Sequence, residues 1–178
     1  MNRASHSDDA GDPGATCSRR LGALLVALLL ASGCKGATPS ELDPGVPAPK
    51  AGIRWLRAQE SGDVAPLVRT EQKRTGASSR KLLVYVGAVW CEPCQRFHHA
   101  AERGELDASF PGLTLLEFDI DRDRERLAAA GYASQFIPLF AVPKEDGTAS
   151  GKQVEGGIKG DGAVGFITAK VKDLLATP

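Results

Sequence analysis

The sequence predicts an α/β domain with a mixed central sheet of four to five strands flanked by helices. Two observations carry this. From about residue 53, short apolar runs of strand length alternate with segments of three-and-four apolar spacing, which implies parallel strands joined by crossover helices. Near the C-terminal end, two runs are separated by a stretch rich in turn residues, which implies an antiparallel hairpin closing the sheet. With 178 residues, 42% apolar and 25% charged, the chain can bury one core of ordinary size.

The elements follow in order. "IRWL", near residue 53, is a short strand. Asp63 can cap a helix whose apolar positions Val64, Leu67 and Val68 lie on one side, and "RTGASSRK" ends it. "LLVYV", residues 82 to 86, is a continuous apolar run of the kind that a strand buried on both faces shows. "AVWCEPCQRF", residues 88 to 97, opens a helix with Cys94, Phe97 and Ala101 on one side. "LTLLEFDI", 113 to 120, is a second central strand, and "RERLAAAG" a short helix stopped at Gly131. "PLFAV" and "KQVEGG" form the hairpin, joined by "PKEDGTASG". A last helix starts near Asp161 and buries Val164, Ile167, Val171 and Leu174.

The residues before this domain read differently. Arg19 and Arg20 precede an uncharged apolar run of 11 residues from Leu21 to Ala31. A spanning helix needs about 20 apolar residues, so this is expected to be a signal-peptide core, removed in the mature protein. Ser18-Arg19-Arg20 touches the twin-arginine pattern, but Leu21-Gly22 departs from it. Ala31, Ser32 and Gly33 before Cys34 resemble the lipobox of bacterial lipoproteins, in which the cysteine takes a diacylglycerol; the alternative is a plain secretory signal. Residues 34 to 50 hold four prolines and two glycines and read as a tether. The expected organisation is a lipoprotein-type signal over 1–33, a tether over 34–50 and the folded domain over 51–178. The location this implies is a bacterial cell envelope, facing the periplasm.

Equal numbers of basic and acidic residues, 22 of each, give no sign of a nucleic-acid partner. Of four cysteines, Cys17 leaves with the signal and Cys34 carries lipid, so Cys91 and Cys94 remain. Two cysteines within one helical turn staple almost nothing, because the loop they close is so short. They are a redox couple, half of a metal site or a pair of buried thiols. His98 and His99 follow closely, but structural zinc usually takes four ligands and no second cysteine pair exists, so no metal is expected and the histidines read as exposed helix residues.

"VYVGAVWCEPC" after a buried strand, with "FIPLF" some 40 residues on, resembles the thioredoxin superfamily over roughly residues 53 to 176. In layout the chain is most similar to the exported DsbD C-terminal type of domain. The resemblance implies a thioredoxin-like fold and a thiol-disulfide oxidoreductase, acting on protein thiols or disulfides without an organic cofactor. A reductase role would then need a separate membrane electron donor. At a helix N-terminus, unpaired N–H groups and the helix dipole favour a thiolate, which makes Cys91 the attacking sulfur and Cys94 the resolving one. Pro93 is tolerated in the first turn. Glu92 places a carboxylate near Cys91, which opposes the thiolate and predicts a reducing couple. Pro138 resembles the family's cis-proline. Trp90 is either a lid beside the reactive sulfur, as the resemblance suggests, or a core residue. Thioredoxins carry a buried aspartate six residues before the first cysteine, where this chain has Tyr85. Glu117 falls where the family has a lysine on the neighbouring strand. Either it is a buried base for Cys94 with Tyr85 as hydrogen-bond partner, or it points to solvent.

Overall fold

The computed structural model describes residues 52–177. The elements are β1 (Arg54–Arg57), α1 (Val64–Ala77), β2 (Lys81–Gly87), α2 (Glu92–Glu102), β3 (Leu113–Asp119), α3 (Ile120–Ala129), β4 (Leu139–Pro143), β5 (Ala149–Glu155) and α4 (Ala163–Ala176). They build one five-stranded sheet of order β1-β3-β2-β4-β5. The first three strands are parallel, and β4 and β5 run antiparallel to their neighbours.

The continuous apolar run of β2 is explained by a core on each side of the sheet. Val84 and Val86 join Val64 and Val68 of α1, Leu127 of α3 and both cysteines in one core. Leu83 and Tyr85 face the other way, onto Phe97 and Ala101 of α2 and Ile167 and Val171 of α4. Successive side chains of a strand point to opposite faces, so a strand with helices on both sides has no polar face to spare.

Three details of the helices differ from expectation. Asp63 holds the N-cap position of α1 but makes no side-chain capping bond. α3 starts four residues early because Asp119 accepts a hydrogen bond from the Asp121 N–H and begins the helix there. In α4 the first buried position is Ala163, and Val164 is only half-buried.

Asp123 of α3 is a buried charge that the sequence reading passed over. Its side chain is fully buried, yet its oxygens accept from the Asp119 N–H at 3.0 Å, from Arg122 at 2.9 Å and from Arg126 at 2.9 Å. Arg126 also donates to the carbonyls of Gln59 and Gly62. One carboxylate thereby fixes the start of α3 and, through Arg126, the link between β1 and α1.

Candidate active site

The site forms where β2 ends. Gly87 closes the strand, and the Cys91 N–H donates to the Ala88 carbonyl at 3.1 Å, turning the chain into α2. Cys91 is the N-cap residue of α2, with Pro93 in the first turn, where a missing N–H costs nothing. Cys91 and Cys94 are joined in a disulfide, with S–S 2.02 Å and Cα–Cα 5.2 Å. Each residue is 3% exposed, so the two are equally buried. Their hydrogen bonding differs: the Cys94 N–H, a helix-start donor, points at Cys91 Sγ at 3.3 Å.

The opposite wall comes from β4. Ile137-Pro138 is cis. Leu139 pairs with Val86, so Pro138 stands beside the end of β2, and Ile137 packs against the cluster containing both cysteines. A strap over residues 156–162 joins the two walls. The Gly156 N–H donates to the Pro138 carbonyl at 2.9 Å, a Cβ on Gly157 would come within 2.8 Å of Pro93, and the Gly160 N–H donates to Glu92 at 3.1 Å.

Glu92 also accepts from Arg96 Nε at 2.9 Å, and Arg96 reaches Asp161 at 3.1 Å. The Arg96 hydrogen bond, with that from Gly160, holds the Glu92 carboxyl below its ordinary range. Its charge is present but engaged, so it opposes a Cys91 thiolate less than sequence position alone implies.

Trp90 lies outside the core, 63% exposed, and its indole N–H donates to Asp121 Oδ2 at 2.7 Å in the first turn of α3. Val89, Phe136 and Ile158 are also exposed apolar residues of the same end of the domain.

Tyr85 and Glu117 are direct neighbours across β2 and β3, and Arg57 of β1 is next in line. Burial, with the Glu117 charge adding to it, pushes the Tyr85 phenol well up, so it stays neutral. No hydrogen bond joins Tyr85 to Glu117 among the described residues. The partner expected for Glu117 is replaced by His98, whose Nε2 lies 3.7 Å from Oε1, and Arg57 stands 3.9 Å from Oε2. Glu117 is 25% exposed, between the buried and the solvent-facing alternatives. His98, expected to be exposed, is three-quarters buried and stacked on Trp55 at 4.1 Å between ring centres, whereas His99 is exposed.

Among the described residues no group of three or more His, Cys, Asp or Glu side chains is placed to hold a metal ion, and no helix is long and apolar enough to cross a membrane. Arg96 was readable four residues after Glu92, a spacing that pairs charges on a helix. Trp55, Asp121 and Gly160 reach the site through tertiary contacts, which leave no local signal.

The strand order, the disulfide at the start of α2 and the cis proline before β4 define a thioredoxin fold. No family model matches the chain, and no curated protein matches it. Among solved structures it is similar to a mutant thioredoxin from Halobacterium salinarum, with 18% identity over 72% of this chain and 92% of the other and a TM-score of 0.41. It is also similar to a poplar thioredoxin h, with 19% identity over 71% and 99% and a TM-score of 0.42. A third is thioredoxin from Trichomonas vaginalis, with 20% identity over 68% and 96% and a TM-score of 0.41.

Proposed function

We propose that this chain is an exported, lipid-anchored thiol-disulfide oxidoreductase that reduces protein disulfides. The observation that carries the chemistry is the Cys91–Cys94 disulfide at the N-terminus of α2, in a fold whose cis proline lies at the same end of the sheet. In the dithiol form, the Cys91 thiolate attacks a substrate disulfide; one substrate sulfur leaves as a thiolate and the other stays bonded to Cys91. Cys94 then loses its proton and attacks Cys91 Sγ. The second substrate sulfur leaves, and both leaving thiolates are protonated. The protein dithiol is oxidised to the disulfide and the substrate is reduced to two thiols. This reading pairs the domain with a membrane electron donor that returns the disulfide to the dithiol. The competing reading is a binding module that keeps the fold without turnover; insulin reduction by the full chain distinguishes them, since the module has no activity to lose on Cys91→Ser.

Direction is tested by potential. A glutathione titration should place the couple nearer about −270 mV than about −120 mV, and a value above about −180 mV reverses the assignment to an oxidant or isomerase. Because Glu92 carries a carboxylate beside Cys91, Glu92→Gln should raise the potential, by at most about 30 mV given its engagement with Arg96.

Anchoring rests on Cys34 and the apolar run before it, which lie outside the described residues. One acyl chain holds a protein only marginally, whereas two or three give stable attachment. In cells expressing the full chain, metabolic labelling with a fatty acid should mark the wild type and not Cys34→Ser. Equal labelling of the two sinks the lipid proposal.

A further inference from the structure

We propose that His98, acting through Glu117, makes removal of the Cys94 proton pH-dependent and so times the resolving step. This rests on the thiol-disulfide reading above. A cavity of about 360 Å³ has Cys94, Tyr85, Glu117 and His98 on its walls, and Cys91 is not among its lining residues. It gives a buried sulfur what Tyr85 cannot: a carboxylate and an imidazole on the walls of one shared space.

Three features single out His98. It follows Cys94 by four residues on α2, which puts both side chains on one helix face. Its ring is held from both ends: Nε2 lies 3.7 Å from Glu117 Oε1 and Nδ1 lies 3.1 Å from Glu102 Oε1. It is braced flat against Trp55, whose own edge packs on Tyr85 at 5.0 Å between ring centres. A histidine kept only for packing does not need a carboxylate at each nitrogen.

The charged and titratable groups around it come from every neighbouring element. Arg57 of β1 faces Glu117, Tyr85 of β2 is neutral, and Glu117 and Asp119 come from β3. Glu102 and His99 share α2, and Glu60 and Arg122 also line the cavity. Two unlike partners therefore compete for Glu117: Arg57 is always charged, and His98 is charged only when protonated.

The step follows from this. With substrate bonded to Cys91, the Cys94 proton passes across the cavity to the Glu117 carboxylate and on to neutral His98, which releases a proton at Nδ1 toward Glu102 and solvent. The Cys94 thiolate then attacks Cys91 Sγ, the bond from Cys91 to the substrate sulfur breaks, and the substrate leaves as a thiolate. When His98 is already protonated it holds Glu117 in an ion pair and cannot accept, so resolution slows.

Stopped-flow kinetics of the full chain, with a chromogenic aryl disulfide as substrate, separate first attack from resolution. In the wild type, resolution should rise about tenfold from pH 5.5 to 7.5 beyond the dependence of first attack, as expected for a positioned proton acceptor. In His98→Gln that extra rise should fall below about twofold, with first attack unchanged. Glu102→Gln, an exposed change that leaves the core alone, should move the inflection to lower pH, because the imidazolium loses a counter-charge. Superimposable resolution profiles for wild type, His98→Gln and Glu102→Gln overturn the inference while leaving the oxidoreductase intact. If His98→Gln does not fold, an unmoved inflection in Glu102→Gln is sufficient to overturn it. Absence of aryl-disulfide reduction by the wild type at every pH overturns the underlying reading instead.

Discussion

Cys91→Ser is expected to abolish disulfide reduction, to below about one-thousandth of the parent rate, because a serine hydroxyl is not a thiolate at neutral pH. Cys94→Ser should behave differently: first attack persists and the reaction halts with substrate bonded to Cys91. The asymmetry has a structural cause. Cys91 is the N-cap of α2, and its sulfur accepts from the Cys94 N–H, a donor the serine variant keeps because it belongs to the backbone. Mass spectrometry of each variant after exposure to a disulfide peptide reads the outcome directly. A stable adduct on Cys94 in the Cys91→Ser protein, formed at the rate seen for Cys91, would reverse the two roles.

Asp123→Ala should be the most damaging single change away from the disulfide. It removes one buried carboxylate that collects two arginines and a helix-start N–H, and it releases Arg126 from its position over the Gln59 and Gly62 carbonyls. Arg122 and Arg126 are partly exposed and regain water, so the cost is about 2–3 kcal/mol, or roughly 10 °C in Tm for a domain of this size. The pH dependence gives an independent check. Burial works against the Asp123 charge, but the Arg122, Asp119 and Arg126 hydrogen bonds outweigh it and hold the carboxyl below its ordinary range. A carboxyl depressed in the folded state contributes fully above its unfolded value of about 3.9 and loses that contribution as pH falls through the folded value. The Tm gap between wild type and Asp123→Asn should therefore be constant from pH 5 to 8 and shrink below about pH 4. A gap that does not close in acid means the carboxylate charge was not what stabilised the fold.

What the sequence made legible is what local periodicity encodes. The apolar run from Leu82 to Val86 has no polar position because Val84 and Leu83 feed different cores, and that alone places β2 centrally. The cysteine spacing, the proline between the cysteines and the later Ile-Pro were likewise visible as short patterns. Glu117 was placed by strand alignment, and it is the register neighbour of Tyr85. Its partner was not legible: His98 approaches from α2 across a tertiary contact, and a histidine beside a cysteine pair reads first as a metal question. The same holds for Asp123, where an aspartate in a run of alternating charges looks like any solvated helix face until the fold buries its side chain.

The first described residues and the disulfide lie at opposite poles of the sheet. The Gly52 carbonyl is bound by Arg80, just before the start of β2, whereas Cys91 follows its end, and β1 and β3 run parallel to it. Seven strand residues span about 20 Å. A substrate that reaches the disulfide therefore meets the pole of the domain farthest from residue 52, about 20 Å away along the sheet.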